Sequence, residues 1–385
     1  SLFDETLAYT SFTKKLEENY PDYFNLKFNQ AAPSVAELQK ILDNKTAVIS
    51  YFITEKSRRV YIFIVTKKQF QLKDLTLSED FERNLKGLTN SILYSDIALH
   101  IATAKPLYKT LIPRLPSSIQ DVVIIPSGRL GTLPFEALLK KGKPEASYST
   151  LPFLIKNYAI SYEFSSGLLI QKSKAKNTST SSPSIFLCAP VNFPDNQDLN
   201  ELPGTVSEIN TISTLFAGNT KSVALFKEAN ESLVKSNSLS SYTYLHFATH
   251  GIVDEEDPEL SKIFLNAGNK EDGNLFSGEI YNLDLNAELV VLSACQTGLG
   301  KFSKGEGVIG LSRALIYAGA KNIIVSFWSV ADESTAKLMV DFYKNLLSQN
   351  DQNFREALQK AKINMIQQGN YAAPYYWAPF IMIGF

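Results

Sequence analysis

The sequence predicts an α/β fold, a mostly parallel sheet with helices packed on both faces. Three observations carry this. Several short runs are apolar at consecutive positions, among them SIFLCAP (184–190), ELVVLSAC (288–295) and NIIVSFW (322–328), the pattern of strands buried on both faces. Amphipathic helical stretches alternate with these runs. The composition, 44% apolar and 20% charged over 385 residues, is that of an ordinary globular protein with room for two or three domains.

The elements follow in order. Residues 34–43, SVAELQKILD, place Val35, Leu38 and Ile41/Leu42 at helical spacing behind Ser34 as cap. AVISYFIT (47–54) and VYIFIVT (60–66) read as strands, and the charged TEKSRR between them predicts a hairpin. VVIIPSG (122–128) is a short apolar strand, and LPFEALL (133–139) starts a helix or turn. Further on, SIFLCAP is a strand and VSEINTISTLF (206–216) a helix with Ile209, Ile212 and Leu215/Phe216 on one face. YTYLHFATHG (242–251) and ELVVLSAC are strands. GVIGLSRALIYAGA (307–320) is a helix with Val308, Leu311, Leu315 and Ala318 on one face, closed by Gly319. NIIVSFW is a strand, STAKLMVDFYKNLL (334–347) and FREALQKAKINMI (354–366) are helices, and FIMIGF (380–385) is a last strand.

The segment KSKAKNTSTSSP (172–183) is polar, rich in Ser and Thr, and ends on Pro183. It cannot bury a face and predicts an exposed linker. The expected division is therefore 1–182 and 183–385. A net charge of −1 argues against a nucleic-acid or membrane-surface protein, which would carry a basic patch or tail. No apolar run of about 18 residues is present, so no transmembrane helix is expected, and SLFDETLAYT at the start lacks the form of a signal peptide. The chain opens without Met and is expected to be an excised piece of a longer protein. With only Cys188 and Cys295, a disulfide framework is excluded and a reducing cytoplasm is the expected setting.

Two strands end on reactive side chains followed by glycine: LHFATHG at His250-Gly251, and LSACQTG at Cys295 with Gly298 close behind. In open parallel sheets, sites form outside the carboxyl ends of strands. Neighbouring strands ending at one edge would bring His250 and Cys295 together. A thiol is mostly protonated at neutral pH, and an adjacent imidazole activates it. Gly251, lacking a Cβ, lets its N–H approach a substrate carbonyl and hold an oxyanion, with the N–H of Cys295 as second donor. A cysteine ending an apolar strand can equally be a small buried hydrophobe, so the pattern alone leaves both readings open.

At these residues the sequence resembles the CHAT family, caspase-like cysteine proteases often fused to tetratricopeptide repeats and related to caspases and separases. HFATHG (246–251) resembles the family's catalytic-His block and VVLSACQTGLG (290–300) its catalytic-Cys block. GEGVIGLSRALIYAGAKNIIVSFWSVAD (305–332) and PYYWAPFIMIGF (374–385) resemble the segments that follow. IIPSGRLGTLPFEALL (124–139) and LIKNYAISYEFSS (154–166) resemble the family's N-terminal portion. The resemblance implies a caspase-like three-layer α/β/α sandwich at 183–385, preceded by a non-catalytic caspase-like lobe at 1–182 with a helical lead. It implies Cys295 as nucleophile and His250 as general base of a dyad cleaving a protein substrate, with no metal and no cofactor. Helical repeats are expected upstream, with residues 1–30 as the tail of a connecting helix. The competing expectation is a latent or inactive scaffold that binds partner proteins and needs an activator.

Other positions have two readings each. Asp332, after SFWSVAD, either receives a basic side chain in a separase-like pocket or caps the helix beginning near Ser334. Trp328 is either a pocket wall or core. His246, four residues before His250, would share its strand face; without the Glu of HExxH it reads as a core or supporting histidine, not a zinc ligand. Cys188 reads as a buried strand residue, and the acidic run Asp254–Asp257 as a solvated loop that could favour basic substrates. SGRLG (127–131) lacks the Walker spacing and reads as a tight turn.

Overall fold

The computed structural model describes residue 14 and residues 33–54, 56–143, 145–174, 183–193, 199–217, 220–254, 257–293, 306–328, 330–349 and 352–385. Cys295, most of the 172–183 linker, nearly all of the 1–30 lead and two of the four acidic residues after His250 lie outside them.

The first helix with described bounds is α1 (Val35–Ile41), which Ser34 and Glu37 close as a reciprocal capping box. The hairpin β1 (Thr46–Thr54) and β2 (Arg59–Thr66) follows, extended by β3 (Phe70–Thr76). Helices α2 (Phe81–Leu93) and α3 (Ile97–Leu111) lead to β4 (Asp121–Ile125), β5 (Ala159–Tyr162) and α4 (Ser166–Lys174). Next come β6 (Ile185–Ala189), α5 (Gly204–Thr214), β7 (Lys221–Leu225), α6 (Glu231–Val234) and β8 (Tyr244–Phe247). Short strands β9 (Gly251–Ile252), β10 (Lys262–Phe264) and β11 (Asn274–Phe276) form a separate three-stranded sheet, followed by α7 (Ser277–Ile280). The chain then runs through β12 (Leu289–Leu292), α8 (Glu306–Tyr317), β13 (Asn322–Ser326), α9 (Asp332–Leu347), α10 (Phe354–Gln368), α11 (Pro374–Trp377) and β14 (Phe380–Ile383).

Among the described residues, eleven strands form one sheet in the order β3-β2-β1-β4-β5-β14-β13-β12-β8-β6-β7. Only β1/β2, β2/β3 and β13/β14 are antiparallel; the other neighbours run parallel. β4, β5, β6, β8, β12, β13 and β14 are buried at every position, as consecutive apolar runs require. In β1 the alternation divides the core: Ala47, Ile49 and Tyr51 face the main cluster, and Val48 packs with Leu38, Leu169 and Ile170 of α1 and α4 on the other side.

LPFEALL takes the turn of its two expected forms, a 3-10 turn at Phe135–Ala137. Three features differ from the sequence expectation. The helical pair α2–α3 occupies a stretch assigned no element, although Phe81, Leu85, Leu88 and Ile92 sit at helical spacing and are buried. β3 is an exposed edge strand, so no burial shapes its pattern. Last, 242–251 is not one strand. β8 stops at Phe247, because Thr249 Oγ1 and the His250 carbonyl bond to Phe264 of β10, its carbonyl and its N–H respectively, and draw the chain out of the main sheet. His246 and His250 therefore do not share a strand face.

Candidate active site

The site is built around the carboxyl ends of β8 and β12, which pair in parallel with Tyr244 opposite Leu289 and Phe247 opposite Leu292. Beyond β8 lies His250, 4% exposed. Its Nε2 sits 2.7 Å from the Asn200 carbonyl oxygen, and its ring lies 4.9 Å from that of Phe193, tilted by 51°. A carbonyl oxygen can only accept, so Nε2 carries the hydrogen and the neutral ring keeps its lone pair on Nδ1. That tautomer leaves Nδ1 as the basic atom.

Gly251 follows in β9. The Phe264 N–H donates to the His250 carbonyl, 2.9 Å, which makes His250–Phe264 a hydrogen-bonded pair. The next pair, Gly251–Ile263, is then of the non-bonded kind, and its N–H points away from β10. Gly251 thus has a donor uncommitted to its own ladder.

Asp332 opens α9 at its first helical position, with Ala331 as the residue before it. The helix starts two residues earlier than the sequence suggests, so Asp332 is not its cap. It instead packs against Gly204, the first residue of α5, where an added Cβ would lie 3.3 Å from Asp332 Oδ2. Burial raises the Asp332 pKa, the Gly204 N–H opposes this, the Glu208 carboxylate adds to it, and the charge of His250 counters it. Asp332 therefore lies within electrostatic reach of His250. A groove of about 430 Å³ runs between α5 and α9, lined by Pro203, Gly204, Glu208, Asp332, Glu333 and Lys337 among others. Gly204 is needed where the helices meet, because a Cβ there would lie 2.5 Å from Asp332 Cβ.

Trp328 is buried beside Phe327 and gives its indole N–H to the Tyr375 carbonyl, 3.0 Å. Fully buried His246 places Nε2 2.8 Å from Glu208 Oε1 and Nδ1 3.2 Å from the Tyr343 hydroxyl. Cys188 is a free, buried strand residue whose thiol burial pushes well up. SGRLG forms a 3-10 turn with Gly128 at φ +52°. Among the described residues, one acidic group has metal-like spacing, Glu231, Glu271 and Glu279; the Lys235 ammonium sits 2.6–2.7 Å from all three. Two contributors have no simple sequence signal. The Asn200 carbonyl is backbone, which no side-chain pattern reveals. Glu208 stands beside Ile209 on a buried helix face, and a charge there is the one trace it leaves.

The fold is a caspase-like α/β sandwich, with a large, mostly parallel sheet. A Saccharomyces cerevisiae separase–securin crystal structure matches it over 90% of this chain and 30% of that one, with a TM-score of 0.58 and 12% identity; the likeness is one of fold. A second crystal structure of that complex gives 0.55 over the same shares at 11% identity. The profile described as CHAT domain matches residues 101–385, and the chain belongs to that family. Tetratricopeptide repeat protein 28 is 33% identical in Homo sapiens and 30% in Mus musculus over 110 residues, 29% of this chain. The chain spans about 4% of the length of these curated relatives. Among the described residues, no helix is long and apolar enough to cross a membrane.

Proposed function

We propose that the chain is a cysteine endopeptidase in which Cys295 is the nucleophile and His250 the general base. His250 Nδ1 takes the thiol proton as sulfur bonds to the scissile carbonyl carbon. The N–H groups of Gly251 and Cys295 hold the oxyanion. The carbon–nitrogen bond then breaks, and the imidazolium gives its proton to the leaving amine. Water, deprotonated by Nδ1, attacks the thioester; the carbon–sulfur bond breaks and the thiolate is restored. The observation that carries this is His250, fixed at a parallel strand end by the Asn200 carbonyl in the tautomer that leaves Nδ1 basic. The parallel pairing of β8 and β12 supports it, since these are the strands that lead into His250 and Cys295.

In this reading Asp332 receives an Arg or Lys side chain from the groove, and Trp328 serves only as a wall, since its N–H is committed to Tyr375. The chain divides into a non-catalytic lobe at 1–182 and a catalytic lobe at 183–385. Helical repeats precede it in the whole protein, as the name of its curated relatives suggests. The setting is a reducing cytoplasm.

The test is cleavage of a diverse peptide library by the wild type, Cys295→Ala and His250→Ala. Loss of cleavage in both variants supports the dyad, and wild-type activity persisting in either sinks it. A second reading, a latent enzyme or scaffold that binds partner proteins and needs an activator, is favoured by the burial of His250. Wild-type inactivity with labelling of Cys295 by an electrophilic peptide would select the latent enzyme; inactivity without labelling would select the scaffold.

A further inference from the structure

Three contacts leave one short segment at four-residue intervals. The Asn200 carbonyl accepts from His250 Nε2, 2.7 Å. Gly204 packs against Asp332, where an added Cβ would lie 2.5 Å from Asp332 Cβ and 3.3 Å from its Oδ2. Glu208 Oε1 meets His246 Nε2 at 2.8 Å. Gly204 and Glu208 are one turn apart in α5 and share a face. Glu208 and His246 are both 99% or more buried, so an unheld carboxylate there would be very costly, and its position is set by its partner. Tyr343 fixes the other nitrogen of that partner, 3.2 Å away.

We propose that Glu208 is a positioning residue: anchored on His246, it fixes α5 and its lead-in, and thereby holds both the Asn200 carbonyl against His250 and Gly204 against Asp332. His246 and His250 lie on the same stretch of chain, four residues apart. The contacts Glu208–His246 and Asn200–His250 therefore close a circuit between two segments. One hydrogen bond leaves a segment free to pivot, and a second, eight residues along, removes that freedom. The pocket and the base are then set by one buried carboxylate, acting through its hold on α5. This rests on His250 acting as the base, but the positioning claim has a readout that does not depend on activity.

The readout is nitrogen NMR of the 385-residue chain labelled at histidine. The sequence holds three histidines. His100 is remote and buried against the Ala137 carbonyl and Ser91, so it reports whether the chain has folded. In the wild type His250 is expected as the single tautomer protonated at Nε2. In Glu208→Gln, with His100 unchanged, the His250 signals are expected to move toward a mixture of the two tautomers. In parallel, kcat for basic-residue peptides is expected to fall about a hundredfold, with KM raised through Asp332. Unaltered His250 signals in a folded Glu208→Gln chain would overturn the proposal. If that variant does not fold, Tyr343→Phe loosens the same anchor by one hydroxyl: a displaced His250 supports the proposal and an unmoved one overturns it. A wild type without peptidase activity would remove the base reading while the His250 spectra still decided the positioning claim.

Discussion

Lys362 of α10 and Glu136 form an ion pair in the interior, Nζ to Oε1 at 3.2 Å, with 1% of each side chain exposed. Glu136 Oε2 also accepts the Tyr162 hydroxyl at 2.5 Å, and that hydroxyl oxygen accepts the Phe135 N–H at 2.9 Å. Lys362→Met keeps the volume of the chain's stem but leaves the carboxylate with one partner. Removing one member of a buried pair costs about 3–5 kcal/mol. The surviving hydroxyl bond to a charged acceptor retains about 1.5–3 kcal/mol of interaction, so a loss near 3 kcal/mol is expected. That is a large share of the roughly 5–15 kcal/mol that hold a domain folded. Glu136→Gln alone strands the ammonium and should cost as much. The double variant removes both charges, and a buried pair replaced by neutral groups is close to energetically neutral. It should therefore recover most of the roughly 6 kcal/mol to which the single losses sum. Urea unfolding of the four chains at pH 7, read at unchanged slope, measures this. Additive losses would refute the claim that the two groups act as one pair.

Three further outcomes are expected. Burial lowers the His100 pKa from 6.5 to about 4; the folded chain keeps it neutral while the unfolded chain protonates it. Its contribution is intact above about pH 6.5 and lost as pH falls toward 4, by about 3 kcal/mol in all. A His100→Gln chain should show that much less acid sensitivity in urea midpoints between pH 7.5 and 4.5, and an equal slope would refute it. Gly319 lies at φ +112°, where a Cβ would sit 1.8 Å from the Leu285 carbonyl oxygen. Gly319→Ala should destabilise by about 2 kcal/mol or more, visible as a lower thermal midpoint. Asp332→Asn should lower kcat/KM for Arg and Lys peptides about a hundredfold, with little effect on apolar ones; a uniform loss would point to a structural role.

Much of the fold was legible in the sequence. The Ser34 cap, the 46–66 hairpin, the buried strands and Gly319 as helix terminator are all fixed by local patterns, because propensity, turn chemistry and burial agree there. The sheet order was not, since pairing β14 with β5 joins Ile383 to Tyr162, and no periodicity carries that information. The candidate positions His250 and Cys295 stood out because the chain holds so few residues of these types, two cysteines and three histidines. What orients His250 was not. The Asn200 carbonyl has no identity in the sequence, and the Glu208–His246 pair joins residues 38 apart that are each unremarkable alone.

The place of β14 bears on how the chain comes to be folded. The strand that fills the middle of the sheet is drawn from the region around 380, and its neighbour β5 has been synthesised long before. At about 5–20 residues per second, roughly ten to forty seconds separate the emergence of Tyr162 from that of Ile383. Through that interval β5 presents an open row of backbone donors and acceptors, the kind of edge that recruits strands from other chains. Protection of that edge during translation, rather than the stability of the finished sheet, would then set the yield of folded protein.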